Sequence, residues 1–190
     1  WKALRTAAGT VLFNNIAIGP PILYLTVQRF YPRAFGTSLE AWPDTWTLVW
    51  QVAVSLLLED TMFYWCPRAL HWKVIYKPIH KHHHMLHHSV TLASENAHPL
   101  EYIVGNLVPV AAGTILCGSH VLVFWTFLFV RIAETTDTHS GYEFPWVVTR
   151  LLPFSGSTAA HDYHHSHNIG AFGSQFMFWD RCVMGNLVLG

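Results

Sequence analysis

The stretch YIVGNLVPVAAGTILCGSHVLVFWTFLFV, residues 102–130, runs for 29 residues without a charged side chain. As one helix it would be ~43 Å long, too long to cross a ~30 Å hydrocarbon core untilted. As two helices meeting at Cys117-Gly118-Ser119 it makes a tight hairpin with legs of roughly 24 Å, slightly short of a full crossing.

Two more apolar runs lie upstream. Thr6 to Gln28 is free of charge, and its Gly19-Pro20-Pro21 is expected to kink or break the segment. Thr45 to Leu58 resumes, after Glu59 and Asp60, through Trp65. The chain therefore reads as one all-α integral membrane domain over 1–190, with about four spanning or near-spanning helices in two hairpins, 6–28 with 45–65 and 102–130. Residues 66–101 and 131–190 form a helical, histidine-rich domain on one face. That face holds Lys2, Arg5, Arg68, Lys73, Lys77, Lys81, Arg131, Arg150 and Arg181, against Arg29 and Arg33 on the other. The bias makes the histidine-bearing face cytosolic. A soluble protein built from very apolar helices is the alternative.

Composition agrees with a bilayer as partner. Hydrophobic residues make up 52% and charged ones 12%, with no net charge, which excludes a disordered chain and a nucleic-acid binder. Cys66, Cys117 and Cys182 are sparse and form no CxxC, as in a reducing compartment. The start at Trp1 reads as a fragment.

Thirteen of the 14 histidines fall on the cytosolic face in this layout; His120 does not. IHKHHHMLHHS (79–89) and AHDYHHSH (160–167) each contain H-x-x-H-H: His80/His83/His84 and His161/His164/His165. On a helix, i, i+3 and i+4 share a face, so each triad can converge on one metal region. His84/His87/His88 has the same spacing, so the register is open. His71, His98 and His139 lie on the same side, making an all-imidazole site for two metals. Imidazole accepts Fe, Zn, Cu or Ni. Asp162 either orients a ligand imidazole or is a solvated helix charge. Asp60, beside Glu59, must be paired or reach water, and a supporting role behind the ligands is expected. His120 reads as a hydrogen-bonded helix residue. There is no H-E-x-x-H, GxSxG, P-loop or GxGxxG. What remains is metal chemistry at a membrane surface, and oxidising an unactivated lipid carbon with O2 needs a redox metal.

At EDTMFYW, RALH, IYKPIHKHHH, ENAHPLEYIVGN, ETTDTHSGYEFPW, LLPFSG, HDYHH and FWDRCVMG, spanning roughly Trp46 to Gly185, the chain resembles the membrane-bound fatty acid hydroxylase superfamily of non-haem di-iron enzymes. AHPLE and THSGYEFPW make it most similar to the C-4 methylsterol monooxygenases. The resemblance implies two irons held by His71, His80, His83, His84, His98, His139, His161, His164 and His165. It further implies O2-dependent oxidation of a sterol C-4 methyl in the endoplasmic reticulum membrane. Electrons would come from NAD(P)H through cytochrome b5 and its reductase. Other sterol carbons or fatty acyl chains are the alternative substrates.

Two positions depart from the family pattern. The first histidine box should read H-x-x-x-H, but Pro67 stands at its head and only His71 remains. Met85 stands where such enzymes usually carry Glu. Cys66, His87 or His88 are conceivable substitutes for the lost ligand, and a catalytically silent homologue that scaffolds or binds lipid is a further reading.

Overall fold

The computed structural model describes residues 1–34, 36–38, 41–86, 90–152, 154–173 and 175–184. Among them the chain is helical, apart from one isolated antiparallel bridge between Ser155 and Phe176.

The N-terminal helix does not break at its proline pair. α1 (Lys2–Phe13) passes through a π-helical stretch, Asn14–Ile18, into α2 (Gly19–Ala34). The same device recurs where α5 (Pro99–Glu101) leads through a π stretch, Tyr102–Leu107, into α6 (Val108–Leu116). Both have one physical cause. Pro20 and Pro109 lack an N–H, and in each case the residue just before the proline donates five residues back, Gly19 to Asn14 and Val108 to Ile103. The wider turn accommodates the missing donor, so the expected kink becomes a bulge. The two π stretches touch: the Tyr102 hydroxyl donates to Asn15 Oδ1 at 3.2 Å, and buried Asn14 donates to the Ala97 carbonyl at 2.8 Å.

The 102–130 run takes its hairpin form. α6 ends at Cys117, Gly118 adopts a left-handed φ of 59°, and α7 (Val121–Thr138) begins after the cap at His120. Gly118 N–H donates to Ile115 and Ser119 N–H to Thr114, which satisfies the last carbonyls of α6.

α3 (Thr45–Leu70), capped by Asp44, continues past Trp65 and through Pro67. It packs most extensively on α6. A Cβ on Gly113 would stand 2.8 Å from the Ser55 Cβ, so the close approach of these helices requires glycine there.

α3 and α7 are polar inside and apolar outside. Gln51, Ser55, Glu59 and Asp60 of α3 are buried, as are Arg131, Glu134 and Thr138 of α7, while Trp46, Leu57, Trp125 and Phe129 are exposed. In hydrocarbon such outward apolar chains carry no hydration penalty, and the inward polar groups find partners. Arg131 donates to Glu59 and, at 2.7 Å, to Glu134, whose other oxygen accepts from Thr138 at 2.8 Å. Lys2–Phe30 and Pro99–Leu116 are each long and apolar enough to cross a membrane.

The remaining elements pack at the end of the bundle where α3 and α7 finish. They are α4 (Lys73–Tyr76), the 3₁₀ turns His80–Met85 and Thr91–Glu95, α8 (Thr158–His167) and α9 (Phe178–Met184).

Candidate metal centre

Eight imidazoles meet there in two groups of four, His71/His80/His84/His164 and His83/His139/His161/His165. Within each group one nitrogen per residue lies within 4.8 Å of all the others. The groups adjoin: the rings of His84 and His164 are 4.9 Å apart, those of His83 and His165 4.7 Å, and those of His84 and His165 4.9 Å.

Both sequence triads reach this one region, and each is divided between its two groups. On α8, residue i+4 lies about 40° round from i, while i+3 lies about 60° the other way. His161 and His165 therefore pair in the second group, and His164 turns to the first. The other box is a 3₁₀ turn, yet it divides likewise: His80 and His84 go to the first group and His83 to the second. The fourth member of each group terminates a long helix, His71 on α3 and His139 on α7. Each is anchored to the carbonyl one turn back, His71 Nδ1 to Pro67 at 2.8 Å and His139 Nδ1 to Thr135 at 2.9 Å.

These anchors fix the tautomer. An Nδ1 facing a carbonyl or carboxylate oxygen must carry the proton, which leaves the Nε2 lone pair facing inward. His80 Nδ1 donates to Glu101 Oε1 at 2.7 Å, and His164 Nδ1 to the Gly170 carbonyl at 2.6 Å. The inward nitrogens then crowd one another. Nε2 to Nε2 is 3.1 Å for His80–His84, 2.8 Å for His139–His161 and 3.1 Å for His161–His165. The Nε2 of His71 is buried without a partner. Burial, with neighbouring imidazoles, pushes the ring pKa of His80, His139 and His164 down to about 3. His83 falls to about 4, His84 and His165 fall further, and burial beside other imidazoles holds His161 well below the usual imidazole range. These distances suit N–H···N hydrogen bonds between neutral rings, and the same donor set fits a first-row transition metal in each group.

The surroundings lock the rings. Tyr76 packs on His71, His80 and His84, and its hydroxyl donates to Asn168 at 2.9 Å. Asn168, at a left-handed φ of 60°, ends α8 just beyond the third box. Phe172 packs on His71 and His164, held by Asp180, which accepts from the Phe172 and Gly173 amides at 2.9 and 2.7 Å. A small cavity, about 50 Å³, touches both groups and is walled by Phe63, Pro67, Gly105, Asn106, Arg131 and Thr135.

Other sequence candidates stand outside the two groups. His98 caps α5, its Nδ1 accepting from the Leu100 amide at 3.2 Å. Asp60 accepts from the Gln175 and Phe176 amides, tying α3 to the loop before α9 rather than to an imidazole. Asp162 is half-buried on α8. The Cys66 thiol faces the Val104 carbonyl at 3.8 Å, and His120 caps α7. His87 and His88 lie outside the described residues. Glu101, the carboxylate behind His80, went unnoticed in the sequence, although it stands within the same AHPLE motif that drew attention to His98.

A second, larger concavity lies deeper along the bundle. It is an apolar groove of about 520 Å³ between α2, α6 and α7, reaching from Leu107 to Ile115 and lined by Phe30, Ala111, Ala112 and Trp125.

Comparison with known proteins places these features. The family model described as Fatty acid hydroxylase matches residues 52–185. A methylsterol monooxygenase of Aspergillus fumigatus is 35% identical over 90% of this chain and 58% of its own length. Methylsterol monooxygenase 1 of Danio rerio is 35% identical over 95% of the chain and 60% of its own. A very-long-chain aldehyde decarbonylase of Oryza sativa is 34% identical over 90% of the chain and 64% of its own. The chain thus spans less than two thirds of the length of each. No solved structure matches it.

Proposed function

Because the chain belongs to the fatty acid hydroxylase family, we propose that it is a di-iron oxygenase acting on the C-4 methyl group of sterol precursors. The observation that carries this reading is the pair of adjoining groups of four buried, neutral imidazoles. His71, His80, His84 and His164 would hold one iron, and His83, His139, His161 and His165 the other. When bound, paired irons supply the redox chemistry with O2 that an unactivated C–H bond demands.

The chain's own residues do the rest. Glu101 holds the proton on His80 Nδ1 and so keeps Nε2 free to ligate; the Pro67, Thr135 and Gly170 carbonyls do the same for His71, His139 and His164. Tyr76 and Phe172 close the site laterally against water. The apolar groove extends about 12 Å along α6; α7 runs on from it to His139, and the π stretch before α6 lines the small cavity, so the groove would take the hydrocarbon part of a lipid substrate.

In this reading the histidine face is cytosolic, at the endoplasmic reticulum membrane, which the lysine and arginine bias supports. Electrons come from NAD(P)H through cytochrome b5 and its reductase. The decarbonylase relatives support a second reading with the same centre and a very-long-chain aldehyde substrate. The test is incubation of iron-loaded protein in membranes with NADPH, the b5 system and O2, with products identified by mass spectrometry. Conversion of a 4,4-dimethylsterol is expected. Turnover of a very-long-chain aldehyde alone supports the second reading, and no turnover of either contradicts both.

A further inference from the structure

The family's first box has a histidine where this chain has Pro67, and the geometry shows what stands in that space. The centre contains two histidine pairs at i, i+4, His80/His84 and His161/His165, and each holds its two Nε2 atoms 3.1 Å apart. Pro67 stands at i, i+4 to His71 on α3, so a histidine there would form a third such pair with the first group. The proline ring carries no donor atom and instead forms a wall of the small cavity. Thr135 occupies the matching place on α7, one turn before His139, and walls the same cavity. Elsewhere the first group is covered by Tyr76 and its own rings, and Phe172, which packs on His71 and His164, lines the cavity as well.

We infer that the cavity walled by Pro67 and Thr135 is a binding site for a small exogenous ligand, a linear anion such as azide, and that Pro67 is what opens it on the first histidine group. This rests on the di-iron reading. The cavity of about 50 Å³ exceeds the space that one water needs and suits a triatomic ion. Azide binds there reversibly to the oxidised centre, and no electron is transferred. The proline is then an opening in an intact centre, not a lesion.

The test compares iron-loaded wild type, Pro67→His and Pro67→Ala, with iron counted per chain and azide titrated by its charge-transfer absorption. Wild type and Pro67→Ala are expected to bind azide with affinities within about threefold of each other. Pro67→His, at equal iron content, weakens binding at least about tenfold, because the added imidazole occupies the position. Both variants remove a proline from a helix interior, so the helix itself is not weakened. Equal azide affinity in Pro67→His and wild type, with two irons in each, overturns the inference and leaves the di-iron reading standing. Should Pro67→His lose iron, marked weakening of azide by Pro67→Ala alone overturns it. Wild type that binds no iron overturns the di-iron reading and this inference together.

Discussion

The two histidine groups are built to one plan but supported differently. Each takes an i, i+4 pair from one box, the i+3 histidine of the other box and the histidine ending a long helix. Backbone carbonyls brace both groups, His71 and His164 in the first and His139 in the second. The first group adds a side-chain brace, Glu101 on His80, and has Pro67 one turn from His71. A backbone carbonyl persists through any side-chain substitution, whereas a carboxylate can be removed by one codon. The first group therefore has a brace that a single side-chain substitution can remove.

The largest expected effect comes from breaking the exchange between boxes. His164→Ala removes a ligand from the first group although it sits in the box that mainly supplies the second. Iron should fall from two to one per chain, with turnover down about 100-fold or more. His83→Ala should do the converse, emptying the second group. Metal analysis with Mössbauer spectra distinguishes them; identical residual spectra would mean the boxes are not divided as described.

Next in size is the supporting carboxylate. Glu101→Gln should weaken iron retention at the first group about 10- to 100-fold and leave the second unchanged, measured by chelator competition. Equal loss at both groups would erase the contrast. Gly113→Ala acts away from the centre, where the new Cβ meets Ser55 between α3 and α6. It should destabilise the fold by about 1–3 kcal/mol, read from thermal unfolding in detergent, and loosen both groups alike. The smallest effect belongs to the groove: Ala111→Trp should raise KM roughly 3- to 10-fold with kcat and iron content kept, since it removes binding and not chemistry.

Local signals in the sequence reached as far as local physics does. The turn at Cys117-Gly118-Ser119 was legible because only a residue free to adopt positive φ closes an apolar hairpin so tightly. Pro20 was legible as a disturbance, but the choice of a π stretch over a kink depends on neighbours such as Tyr102, far away in sequence. The H-x-x-H-H spacings brought both boxes to notice, yet the i+3 member of each faces the group its own pair does not serve. On α8 the division follows from the helical angles, but which group each side serves is set by how α8 and the His80–Met85 turn oppose one another. Glu101 escaped for the same reason, since its contact with His80 spans 21 residues. The resemblance makes His98 a ligand; in the structure it caps α5 and stands outside both groups.

Iron content of the protein purified from membranes, counted per chain for wild type and His164→Ala side by side, tests the central claim most directly. Two irons falling to one is the predicted result. No iron in either protein, or the same content in both, would contradict a centre made of two four-histidine groups.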